Sequence, residues 1–111
     1  MSLFEKFSEK EQNLFNKYPD MFRRVNLHMR ETCMCWGADI PDEWFPEVEA
    51  LCDAIQQIEP NCVEFEQIKV KYGGIRIYYD VVKDITTEQD KEISNLVDRV
   101  EQKCYDKKYV Y

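Results

Sequence analysis

The chain has 111 residues with 44% hydrophobic and 14% aromatic content, enough for one domain with a real core and no need of disulfide or metal staples. Its formal net charge of −7 argues against nucleic acid or anionic membrane as a general partner, and only a basic partner or nucleic-acid mimicry would suit the acidity as a whole. No apolar run is long enough to span a bilayer, Pro and Gly are scarce, and the charged start "MSLFEKFSEKEQ" lacks the apolar stretch of a secretory signal, so the expected location is the cytosol.

The first element begins at Ser8-Glu9-Lys10-Glu11, which has the form of a capping box. Leu14, Phe15 and Tyr18 follow at helical spacing, and Pro19 ends or redirects the helix. Asp20 to Arg30 fits both periods, and a short helical turn followed by extended chain is expected. "ETCMCWGADIPDEW", Glu31 to Trp44, mixes turn formers with large apolar groups and reads as an ordered loop. A helix is predicted from about Trp44 to Ile58, with a single stripe of Trp44, Val48, Leu51, Cys52, Ile55 and Ile58. Pro46 is tolerable only in its first turn, Asp42 is placed to cap it, and Pro60 closes it.

Val63 and Phe65 open a strand, but the apolar phase then moves to Ile68 and Val70. A slip of one residue exchanges the faces, so a bulge is predicted near Glu66-Gln67. In "IKVKYGGIRIYYD", Ile68 to Asp80, two alternating runs flank Gly73-Gly74, the natural two-residue hairpin turn. That turn sets Lys71 opposite Arg76 and Val70 opposite Ile77. One face then carries Ile68, Val70, Tyr72, Ile75, Ile77, Tyr79 and Val81. The other carries Gln67, Lys69, Lys71, Arg76, Tyr78 and Asp80. Thr86 or Thr87 caps a last helix striped with Ile93, Leu96, Val97, Val100 and Cys104. The tail from Tyr105 either frays or packs. The order helix, loop, helix, hairpin, helix predicts one α+β domain over 1–111: a small antiparallel sheet built on a central β-hairpin, with about three helices packed mainly on one face.

Two of these segments are similar to a known pattern. "TCMCWGADIPDEWF", Thr32 to Phe45, and "QIKVKYGGIRIYYD", Gln67 to Asp80, resemble an uncharacterised family of small bacterial and phage proteins. Members carry a Trp-Gly segment leading to a Gly-Asp-Gly-Trp turn and a helix, then a Gln-Val-Lys-Glu-Lys-Phe-Gly-Gly-Leu-Arg-Phe-Tyr hairpin. Gln67, Lys69, Lys71, Gly73, Gly74, Arg76 and Tyr78 match the hairpin, and Trp36, Gly37 and Trp44 match the loop. "YPDMF", Tyr18 to Phe22, is similar to the family's approach segment. Pro41-Asp42-Glu43 replaces the Gly-Asp-Gly, and of a Cys-x-x-Cys knuckle found in many members only Cys104 remains. The resemblance implies a fold and a site position, and a phage or mobile-element setting, without an activity.

The basic hairpin face is the leading site: Lys69, Lys71 and Arg76, with Gln67 and Tyr78 beside them. Like charges opposed across strands repel, so either an acidic group meets them or they stay solvated, since exposed charges lose little in water. Asp39, Asp42 and Glu43 of the preceding loop would meet them as an internal salt-bridge lattice. An external anion or an acidic partner surface is the alternative, with Trp36 available to stack on a ligand. Zinc is not expected, since Cys33-x-Cys35 with His28 and Cys104 lacks the usual ligand spacing. The five cysteines are read as reduced thiols, with Cys52 in the core. Neither a Cys33 or Cys35 nucleophile with His28 nor an Asp39/Asp42/Glu43 acid–base or Mg²⁺ pair rises above loop chemistry, so no catalytic residue, metal or cofactor is assigned. Glu43, Glu47, Glu49 and Asp53 form an acidic helix face, either solubilising or phosphate-mimicking. The reading is a small cytosolic binding protein that blocks or sequesters a host protein or captures a small anionic ligand. Direct nucleic-acid and membrane contact are not expected, and a homodimer is left open. The rivals are an acidic nucleic-acid mimic and a small hydrolase or metal-dependent enzyme of the acidic loop.

Overall fold

The computed structural model describes residues 8–23 and 38–106. Helix α1 (Glu9–Lys17) starts at Ser8, whose side chain accepts from Glu11 N–H while the Glu11 carboxylate accepts from Ser8 N–H. Two of the four N–H groups that every helix start leaves unpaired are thus satisfied locally. Strand β1 is only Ala38–Asp39. After a 3-10 turn at Asp42–Trp44 comes helix α2 (Phe45–Ile58), then strand β2 (Val63–Lys71), strand β3 (Gly74–Val81) and helix α3 (Thr87–Lys103). The α+β class, the central hairpin and the three helices are as the sequence predicts.

Helix α2 buries the stripe read from its sequence. Trp44, Val48, Leu51, Cys52 and Ile55 are inside, with Ile58 half-buried at the end. They pack with Ile68, Ile75 and Ile77 of the sheet and with Ile93 and Val97 of α3 in one core. A run of rings carries that core to α1: Phe15 lies 4.9 Å from Phe22, and Phe22 lies 4.9 Å from Phe65, both tilted. Polar contacts tie the helices together around it. Lys17 of α1 pairs with Glu49, the Tyr18 hydroxyl donates to Asp53, and Lys103 of α3 sits 3.0 Å from Glu47. Three of the four acids expected to form a free acidic face are therefore struts between helices. Asp42 does not cap α2: the 3-10 turn leads into the helix, with Trp44 N–H donating to Pro41 C=O at 3.0 Å, and no side chain caps the start.

The sheet differs from expectation in two respects. First, part of the segment read as loop is a strand. β1 pairs in parallel with β2, Ala38 against Ile68 and Asp39 against Lys69, so the sheet is three-stranded and mixed, in the order β1-β2-β3. Second, the hairpin turn is Tyr72-Gly73. Both have positive φ, 53° and 82°, as a type I′ turn requires. Lys71 therefore faces Gly74, and the directly opposed cations are Lys69 and Arg76, not Lys71 and Arg76. Moving the turn back by one residue changes every partner by two positions along β3, so the two faces keep their composition. Tyr72 is the exception: it leaves the apolar face for the tip and is 74% exposed. The bulge lies between Phe65 and Gln67, where the phase slip predicts it.

The free edge of β3 is closed by the end of α3. Ile75 N–H donates to Cys104 C=O at 3.0 Å, and Ile77 N–H to a Glu101 carboxylate oxygen at 3.0 Å. Tyr105 bridges Gly74, and Asp106 N–H donates to Gly73 C=O at 2.9 Å. The start of the tail packs on the hairpin tip and blunts an exposed edge that would otherwise invite another strand.

Candidate functional site

Alternation along β2 and β3 sends one set of side chains into the core and the other outward. The outward face has three successive pairs: Gln67 with Tyr78, Lys69 with Arg76, and Lys71 with Gly74. Beyond the bulge the same face continues with Glu64 opposite Asp80, and there Arg23 closes to 3.3 Å from Glu64. The face is thus divided: an acidic end where Arg23 pairs with Glu64, and a basic end at the tip.

Lys71 is exposed, while Lys69 and Arg76 are half-buried. The ion pairs of the described residues include none of the three. Lys71 holds its ammonium 5.6 Å from the centre of the Tyr72 ring, a cation–π distance. Arg76 turns back along the edge of β3, with one guanidinium nitrogen donating to Ile75 C=O at 3.1 Å. Among the described residues most of its five N–H donors stay uncommitted. Tyr78 stands beside the cations, 41% exposed.

The structure brings Gln67, Lys69, Lys71, Arg76 and Tyr78 together as the sequence predicts. Asp39 lies in β1 beside Lys69, so Asp39, Lys69 and Arg76 share one row of the sheet by backbone register. Asp42 is exposed at the start of the 3-10 turn, and no ion pair among the described residues joins it to the hairpin. Trp36, His28, Cys33 and Cys35 lie outside the described residues. Among the described residues no group of three His, Cys, Asp or Glu side chains is arranged to hold a metal ion, and no helix is long and apolar enough to cross a membrane.

Reasoning from sequence missed two acidic groups that share a cavity with Arg76. They come from α3, not from the loop. A cavity of about 440 Å³ at the hairpin tip is lined by Tyr72, Arg76, Asp98, Glu101, Gln102 and Tyr105. Asp98 and Glu101 fall outside the apolar stripe of α3, and nothing in the sequence near them points to the hairpin. Only the docking of the α3 end against β3 puts them beside the basic face. No family model, curated protein or solved structure matches this chain.

Proposed function

We propose that the protein is a non-catalytic binding protein whose basic hairpin end receives a small anionic ligand or an acidic patch on a partner. One observation carries this reading: Lys69, Lys71 and Arg76 are gathered on one face, and no ion pair among the described residues includes them. Holding Lys69 opposite Arg76 costs roughly 0.2–1 kcal/mol, which an incoming anion recovers. The size of the partner follows from charge. A chain of net charge −7 repels a long polyanion. Beyond roughly 8–10 Å that field is screened at physiological salt, so a compact anion meets mainly the local cations. The setting that fits the family resemblance is an accessory protein of a phage or mobile element that sequesters or blocks a host component. The acidic mimic is less favoured, because Glu47, Glu49 and Asp53 are each engaged by the chain itself.

Two measurements test the proposal. Incubation with a nucleotide mixture and with a short glutamate peptide, read by native mass spectrometry, should show at least one of the two retained and unchanged. Conversion of a nucleotide would replace the binding protein with an enzyme of the acidic loop, and no retention of either probe would remove the proposal. Lys69→Glu should abolish retention and leave the melting temperature equal or higher, since it removes the like-charge opposition. A clear fall in melting temperature would mean that the cations clamp the chain's own carboxylates instead.

A further inference from the structure

We propose that the cavity between the hairpin tip and the end of α3 takes a nucleotide, its base between two tyrosines and its phosphate on the cations. The inference rests on the basic-end reading above and gives its ligand a chemical class. Tyr72 is the first observation. It occupies a left-handed turn position, φ 53°, where Asn or Gly is at home, and the residue is 74% exposed. Neither the turn nor the core calls for an aromatic ring there, and strained backbone of this kind concentrates at ligand clamps. Tyr105 is the second. It is 55% exposed, is held against the tip by its bridge to Gly74, and lines the same cavity. Two exposed phenol rings around one opening are a stacking platform for a planar base.

The polar groups of the cavity narrow the ligand further. Arg76, anchored by Ile75 C=O, offers the planar fork of donors that matches a phosphate, with Lys69 its cross-strand neighbour and Lys71 at the tip. Asp98 and Glu101 share that cavity. Two carboxylates repel a bare phosphate or an acidic peptide. They accept hydrogen bonds from the amino and imino N–H groups of a base, as does the Gln102 amide oxygen. A ligand anionic at one end and rich in N–H donors on a flat ring at the other satisfies both sets, and a cavity of about 440 Å³ falls in the usual ligand range of roughly 300–1,000 Å³.

The test is calorimetric titration of the full chain with AMP, GMP, ribose 5-phosphate and poly-glutamate peptide. At least one of the two nucleotides should bind about tenfold or more tighter than ribose 5-phosphate, the base supplying the difference. Tyr72→Asn should raise the melting temperature, because Asn suits the left-handed position, while lowering nucleotide affinity about tenfold. Arg76→Gln should weaken nucleotide and ribose 5-phosphate alike. Equal affinity for the nucleotides and ribose 5-phosphate would overturn the base cavity and leave the anion-binding face standing, as would poly-glutamate binding alone. Unchanged nucleotide affinity in Tyr72→Asn would also overturn it. Absence of binding by all four probes would remove both readings.

Discussion

Gly73 and Gly74 look interchangeable in the sequence and are not. Gly73 has φ 82°, a conformation that costs an L side chain roughly 1–2 kcal/mol. Gly74 is the first residue of β3, and a methyl group built on it would meet Cys104 C=O and the Tyr105 ring at 3.6 Å and the Arg76 guanidinium at 3.7 Å, ordinary contact distances. Gly73→Ala should therefore lower unfolding stability by about 1–2 kcal/mol, and Gly74→Ala should change it by no more than about 0.5 kcal/mol. Urea unfolding of the two variants checks this, and equal losses would restore Gly73-Gly74 as the turn. The same displacement of the turn moves the opposed cation from Lys71 to Lys69 and lifts Tyr72 to the tip.

Helices α1 and α3 begin with a capping box, and α2 begins without one. Thr86 accepts from Gln89 N–H at 3.1 Å while the Gln89 side chain accepts from Thr86 N–H at 2.9 Å. Gln89 also reaches across to donate to Ile58 C=O at 3.3 Å, tying the start of α3 to the end of α2. Thr86→Ala should cost about 1 kcal/mol. Asp42→Ala should change stability by less than about 0.5 kcal/mol, since the 3-10 turn starts α2 without a side-chain cap. Thermal unfolding of both variants measures the contrast. A loss on Asp42→Ala comparable to that on Thr86→Ala would mean that Asp42 anchors the element after all. At the hairpin, the end of α3 stands in place of a fourth strand: its carbonyl and carboxylate groups accept from β3, which brings Arg76, Asp98 and Glu101 to one cavity.

Across the whole molecule, burial holds several acidic protons in place. It pushes up the Cys52 and Cys62 thiols, and moves that of Cys104 to about 11. Burial also raises the Tyr18 hydroxyl, helped by its hydrogen bond to Asp53. Each group binds its proton more tightly folded than unfolded, so stability is intact below the unfolded pKa and falls as pH rises above it. The decline should begin near pH 8.5, where free thiols ionise, and steepen above about pH 10, where unfolded tyrosine does. Urea midpoints between about pH 7 and pH 10.5 follow it. Tyr18→Phe should flatten the upper part alone, and an unchanged slope there would show that Tyr18 does not contribute.

Local signals in the sequence determined most of the elements. Capping boxes at Ser8 and Thr86, the single stripe of α2, the slip after Phe65 and the alternation around two glycines are each decided within a few residues. They place Gln67, Lys69, Lys71, Arg76 and Tyr78 on one face whichever turn is used, because a strand's side chains alternate with period two. What the sequence left open was settled by contacts between distant segments. Ala38–Asp39 is a strand only because β2 has a free edge beside it; two residues carry no periodicity of their own. Tyr72-Gly73 supersedes Gly73-Gly74 in a fold where the tail docks on the tip, pairing Tyr105 with Gly74 and Asp106 with Gly73. Asp98 and Glu101 join the candidate site for the same reason. A helix pattern tells which side of α3 is wet, and only its packing against the edge of β3 tells what that side faces.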